Sequence, residues 1–263
     1  MKYFSYKPTK KLPVICNIPH SSIVIPKKFL SDFSLSKRDL SKEVRFMADL
    51  YTDKIYKNLF DDFGFILSKV SRIVVDIERF SDDNREPMSE VGMGVLYTKT
   101  SDGRDLRKVD KKRKKEYLDE LYKPYHEQLD SMVKKDIKEK GKCLIIDCHS
   151  FPSKDREYDS DKKLNRTDIC IGTDNFHTPI KLKKLLKSNF EKAGFTVKYN
   201  SPFSGTIVPM AFYNKNKNVN SVMIEINRKL YMNEDNFTLN YDCQDFSKKV
   251  CNIIKNSVSD FLK

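Results

Sequence analysis

Two of the four histidines in this 263-residue chain stand where strands should end. In Lys142–Ser153, KCLIIDCHSFPS, the unbroken run Cys143–Ile146 leads into Asp147, Cys148 and His149. That is the pattern of a buried strand that delivers polar groups at its C-terminal edge, where open α/β sheets gather their ligand chemistry. Earlier, Val14–Ile18 runs through Pro19 to His20, and Ser21, Ser22 and Pro26 then mark a loop. Imidazole is the commonest metal ligand, and a catalytic zinc takes three ligands from His, Asp or Glu with one position open for water. Carboxylates at element ends extend the set to Asp49, Asp53, Asp76, Asp147 and Glu225. Neither HExxH nor HxxE follows His20, so spacing alone leaves two readings: metal ligands, or satisfied polar residues at strand ends.

Glu225 interrupts the apolar run Val222–Ile226 and must either point out at a sheet edge or into a site. A buried carboxylate without a partner is costly, whereas beside a metal it can serve as general base. Arg72, Arg79 and Arg228 also fall at strand ends, where a guanidinium suits two-pronged capture of a carboxylate or an ordinary salt bridge. His126 on a charged helix and His177 in a polar loop read as surface residues. Asp49 falls among Met47, Ala48, Leu50 and Tyr51, in mid-helix, where an acid needs a reason to face inward.

The elements that position these residues follow from periodicity. Lys37–Asp62 reads as one amphipathic helix, with Leu40, Val44, Met47, Tyr51, Ile55 and Leu59 on one face. Phe65–Val70 and Ile73–Ile77 read as strands, and Phe80–Asp105 as a long aperiodic loop of the kind that is usually functional. Asp105–Lys140 reads as a surface helix that Pro124 kinks or divides. After a polar segment, Phe151–Thr167, come strands at Asp168–Ile171, Phe195–Tyr199 and Ser221–Ile226 and helices at Thr178–Ala193 and Cys243–Leu262. This alternation predicts a three-layer α/β/α sandwich with a largely parallel or mixed central sheet, in a single domain spanning 1–263.

The net charge of +13 comes from 50 basic and 37 acidic residues, and the excess is scattered over helices. Scattered lysines do not form the groove with interleaved aromatics that nucleic acid requires, so nucleic-acid binding is not expected. The six cysteines have no CxxC spacing and four interrupt apolar runs, which predicts packing thiols in a reducing, cytoplasmic setting. The start, MKYFSYKPTKKLP, has neither signal nor transit character, and no apolar run approaches the ~20 residues of a membrane span.

Taken together, NIPHSS, DLYTDKIY, SRIVVDIERF, EPMSEVGMGVLYT, YKPYHEQL, LIIDCHS, DICIGTD, NSPFSGTIVP and VMIEINRKLYM resemble, in order, the N-formylglutamate amidohydrolase family over about residues 13–234. The resemblance implies a fold similar to zinc carboxypeptidases and aspartoacylases, and a Zn2+ ion held by His20, Asp49 and His149. It implies Glu225 and Arg72 as catalytic residues, Glu225 as base, and an arginine or the metal holding the developing oxyanion. Arg79 would hold the substrate carboxylate, Asn200, Ser204 and Gly205 would belong to a loop closing over it, and Arg228 would join them. The substrate is then N-formyl-L-glutamate, split to formate and glutamate in histidine degradation, or a related N-acyl amino acid. Many family members carry asparagine where this chain has Glu78. The competing reading is a basic module that binds nucleic acid or an acidic partner around a vestigial site.

Overall fold

A computed structural model describes residues 3–154 and 166–263; most of the polar segment expected at Phe151–Thr167 lies outside them. The chain forms two compact units. One comprises Met1–Ser5, Pro19–Leu50 and Leu67–Leu129, the other Tyr6–Ile18, Tyr51–Ile66 and Asp130–Lys263.

Strands β1 (Phe4–Lys7), β2 (Val14–Ile18), β3 (Gly64–Ser68), β4 (Cys143–Phe151), β5 (Ile169–Gly172), β6 (Val197–Tyr199) and β7 (Val219–Asn227) form one sheet in the order β1-β3-β2-β4-β7-β5-β6. A two-stranded antiparallel hairpin, β8 (Met232–Asn233) and β9 (Thr238–Leu239), follows β7. In the main sheet β2, β4 and β7 run parallel, and β5 pairs antiparallel with β7 and parallel with β6. The sheet is therefore mixed, as the alternation of elements required. All nine residues of β4 are buried, which is why its sequence is continuous instead of alternating.

The helices are α1 (Lys37–Met47), α2 (Thr52–Ile55), α3 (Lys111–Tyr117), α4 (Lys123–Lys140), α5 (Ile180–Lys192) and α6 (Cys243–Leu262). In the second unit α6 packs on α5 and α2. Val250, Cys251, Ile254 and Val258 form its buried stripe, opposite a polar face.

Three sequence expectations are corrected. The helix expected over Lys37–Asp62 stops at Met47: Ala48 turns extended, Tyr51 adopts φ 68°, and α2 starts afresh at Thr52. Asp49 thus lies in a helix break, with its N–H donating to the His20 carbonyl at 2.9 Å. The apolar run Ile73–Ile77 is no strand but a buried turn, opened by Val74 N–H donating to Ser71 O at 2.9 Å. Its carbonyls find a substitute for a sheet partner in Arg107, which donates to Ile73 O (2.9 Å), Val74 O (2.7 Å) and Tyr97 O (2.8 Å). The Arg107 guanidinium is buried between the Phe33 and Tyr117 rings, each centroid 4.8 Å away. His177, finally, is buried and not a surface residue: Nδ1 meets Val219 O at 2.7 Å and Nε2 accepts from Asn214 N–H at 2.9 Å.

Pro124 does divide its helix. A π turn, Leu118–Tyr122, separates α3 from α4, and helix proper starts at Lys111, capped by Asp110 accepting from Arg113 N–H. The expected apolar face, Tyr117, Leu121, Tyr125, Leu129 and Val133, is buried throughout.

Candidate active site

In the second unit the site residues are carried by strands. β4 and β7 pair with His149 opposite Glu225, so the two side chains leave the same face of adjacent strands. Both are buried. Asp147, two residues before His149 and on that face, accepts from Asn17 Nδ2 (2.8 Å) and Ile207 N–H (3.0 Å) and meets His149 Nε2 at 3.0 Å. A carboxylate on Nε2 fixes the tautomer and ring orientation of the imidazole. Tyr56 braces the pair from behind, its hydroxyl lying 3.1 Å from His149 O and 2.9 Å from Ile224 O.

The loop after β6 is tied to this strand edge. Ile207 reaches Asp147 as above, Thr206 Oγ1 lies 2.7 Å from Ser221 Oγ, and Gly205 takes φ 88°. Gly172 on β5 permits the approach, since a Cβ there would stand 2.5 Å from Gly205 O. Of the residues expected to touch substrate, Ser204 and Asn200 are exposed, and the Asn200 amide is engaged with Thr173 through contacts of 2.8 and 2.9 Å. Arg228 is buried and donates to Ser150 on β4, from Nε to Oγ and from Nη2 to O, both at 3.3 Å.

In the first unit the organiser is Asp76, fully buried at the end of the Ile73–Ile77 turn. Its Oδ2 accepts from Arg72 Nη2 (2.8 Å) and Nε (3.1 Å) and from Tyr97 OH (2.9 Å). Its Oδ1 accepts from Glu78 N–H (3.1 Å) and meets His20 Nε2 at 2.9 Å. Burial alone would raise its pKa, but the charges of Arg72, His20 and Arg79 outweigh burial and hold the carboxyl well below the usual range. Burial and Arg72 pull the His20 pKa down, and Asp76 and Asp49 more than reverse this, so it sits above its ordinary value. His20 is thereby oriented as His149 is, with a carboxylate on Nε2. Its Nδ1 faces Asp49 Oδ2 at 3.7 Å. That is beyond a hydrogen bond and close to the roughly 3.3 Å between two ligands of a tetrahedral zinc with bonds of about 2.0–2.1 Å. The buried donor set fits a metal.

Arg72 lies against both acids, 3.9 Å from Asp49 as well as bonded to Asp76. Arg79 is 30% exposed, and its ion pairs run to Asp76 (3.8 Å) and Glu86 (3.7 Å); its buried Nε makes no hydrogen bond. Glu86 is itself buried and accepts from Phe80 and Met88 N–H. Sequence reasoning placed Asp76 among the candidate acids without assigning it this role, and it passed over Glu86 and Tyr97. The one available signal was an acid ending an apolar run.

A profile of the family described as N-formylglutamate amidohydrolase matches residues 12–232. The N-formylglutamate deformylase of Pseudomonas putida is 28% identical over 237 residues, which cover 85% of this chain and 83% of that protein. Among solved structures, the N-formylglutamate amidohydrolase of Ralstonia eutropha JMP134 is similar with a TM-score of 0.85 at 18% identity, covering 98% of each chain. A gene product of Agrobacterium tumefaciens is similar with a TM-score of 0.72 at 19% identity, covering 100% of this chain and 97% of its own. These two likenesses attest the fold, and the profile attests the lineage. A strand-borne histidine and glutamate, a second histidine backed by a carboxylate and a match over most of the length lead to one assignment: the chain belongs to the N-formylglutamate amidohydrolase family.

Proposed function

We propose that the protein, acting as one catalytic domain over 1–263, hydrolyses the amide of N-formyl-L-glutamate to formate and glutamate. The observation that carries the reading is the shared arrangement of its two candidate histidines, each buried with a buried carboxylate on Nε2 that fixes its ring. Zn2+ held by His20, Asp49 and His149 suits that arrangement. Within the second unit, β2 and β4 run parallel with Asn17 beside Asp147, and Asn17 holds the carboxylate that backs His149. In the first unit Glu78 stands close enough to His20 to share an ion with it, which makes Glu78 the competitor for Asp49's place. Metal content of Asp49→Ala and Glu78→Ala separates the two acids.

A Zn2+ held by these residues would supply a water with its pKa brought toward ~7 and polarisation of the formyl carbonyl. Glu225, buried beside His149, takes the proton and returns it to the leaving amine. Arg72 sets a fixed positive charge beside the acids, suited to the developing oxyanion. Arg79, with its side chain 30% exposed, suits the substrate carboxylate; the 206–207 segment and Arg228 shape the strand edge. We place the reaction in the cytoplasm and in histidine degradation, with a small N-acyl amino acid as partner.

Specificity is tested with Arg79→Lys, which keeps the charge and loses the fork. Charged hydrogen bonds contribute ~1.5–3 kcal/mol, so kcat/KM for N-formylglutamate should fall roughly ten- to a hundredfold. An N-formyl alkylamine without a carboxylate should show little of that loss. Equal losses on both contradict the role, and salt-sensitive DNA binding without formate release would favour the basic module instead.

A further inference from the structure

The segment YKPYHEQL, Tyr122–Leu129, contains none of the residues assigned above to metal, base or substrate. Its first and fifth residues nevertheless reach the turn that carries Arg79. Tyr122 OH donates to Arg79 O at 3.0 Å, and His126 Nε2 lies 2.7 Å from Ile77 O. These two carbonyls bracket Glu78. The Tyr122 and His126 rings pack against each other, centroids 4.2 Å apart and tilted by 36°, so the two grips share one ring contact.

The local chain conformation explains how. Pro124 has no N–H to give, and the helix accommodates the loss by widening into the π turn Leu118–Tyr122 just before it. Such single π turns recur at functional sites, and this one ends on Tyr122. Burial and the nearby Asp76 and Glu86 push the Tyr122 pKa up to about 12, and burial pulls His126 down. Tyr122 is therefore a hydroxyl donor, and His126 a neutral imidazole whose Nε2 proton serves the Ile77 carbonyl. The backbone on both sides of Glu78 has no sheet ladder of its own, since Ile77–Phe80 lies in turn and coil. With Asp76 holding the start of this stretch, the two side-chain grips fix where Arg79 leaves the backbone.

We infer that Tyr122 and His126 are positioning residues that set the aim of Arg79, and hence the preference for a carboxylate-bearing substrate. The inference rests on the proposed role of Arg79, and the experiment separates the two. Full-length Tyr122→Phe and His126→Phe keep an aromatic ring in place and delete one donor each. Each should raise KM for N-formylglutamate about three- to tenfold, the usual yield of one hydrogen bond, with kcat close to wild type. N-formylbutylamine should be turned over as by the wild type, and His126→Gln, which restores an amide donor, should recover part of the loss. In an Arg79→Lys background, adding Tyr122→Phe should cost nothing further, because the group it aims is gone. Equal losses on both substrates, or full additivity in the double variant, overturn the inference and leave Tyr122 and His126 as plain supports of the fold. A selective loss in Arg79→Lys without one in the two Phe variants overturns the positioning role alone. Equal losses in Arg79→Lys itself overturn both readings. If His126→Phe does not fold, Tyr122→Phe, which removes a single oxygen, decides.

Discussion

Asp147 and Asp76 do the same work in two differently built regions. Each is a buried carboxylate that holds a histidine Nε2, at 3.0 and 2.9 Å. Asp147 stands on β4, whose backbone is fixed by ladders to β2 and β7, so its position is set before its side chain bonds to anything. Asp76 stands on coil, and that coil keeps its shape through side chains: Arg107 on Ile73 and Val74, His126 on Ile77 and Tyr122 on Arg79. A strand-borne group is placed by many equivalent backbone bonds. A turn-borne group is placed by a few individual side chains, and single substitutions should displace it.

The largest effect belongs to the strand region. Glu225→Gln should lower turnover by ~10²–10⁴ while metal content and fold are retained, because the strand holds the amide where the carboxylate was. Wild-type turnover in this variant would place the base elsewhere.

The contrast itself is tested by Asp76→Asn against Asp147→Asn. An asparagine at 76 turns an amide N–H₂ toward donors and takes from the half-buried Arg72 its bonded acid, leaving only Asp49 at 3.9 Å. Denaturant unfolding should show a loss of about 3 kcal/mol or more. Asp147→Asn, on a strand that its ladders already hold, should lose about 1–2 kcal/mol. Equal losses would mean that the ladders confer no such protection.

A smaller effect sharpens the picture of the side-chain scaffold. Asp32 anchors α3 by accepting from Arg113 Nε (2.8 Å) and Tyr117 OH (2.6 Å). Burial would raise its pKa, but those bonds and the Arg113 charge more than offset burial and hold it below the ordinary value. A depressed folded-state pKa contributes stability above the unfolded value of ~3.9 and loses it as pH falls through the folded one. Asp32→Asn should therefore cost about 1 kcal/mol at neutral pH, a gap that closes as pH is lowered below about 4. A gap that stays constant down to pH 3 would show that the anchor does not depend on ionisation.

The same difference governs what could be read in the sequence. β4 announced itself through Cys143–Ile146 running into Asp147 and His149, and α6 through its apolar stripe, because a period and a burial pattern are local. Val222–Ile226 with Glu225 in it was legible for the same reason. Ile73–Ile77 has strand composition, yet its carbonyls are satisfied by Arg107, a residue some thirty positions away that no local window connects to it. Asp49 was misplaced in mid-helix because the helix break at Ala48–Tyr51 involves a left-handed tyrosine, a conformation no propensity favours. His177 was assigned to the surface because its two partners, Val219 O and Asn214 N–H, are backbone groups distant in sequence. The placement of the candidate residues was legible where strands carry them and hidden where side chains hold coil.

If the carboxylate-backed histidines hold a metal that amide hydrolysis needs, formate release must depend on that metal. The direct measurement is formate release from N-formylglutamate by the purified protein, before and after stripping with a chelator and after re-addition of Zn2+, with metal content measured alongside. The expected result is about one metal per chain, loss of formate release on stripping, recovery on re-addition, and no recovery in His149→Ala. Undiminished formate release by metal-free protein, or stoichiometric metal retained in both His20→Ala and His149→Ala, would contradict it.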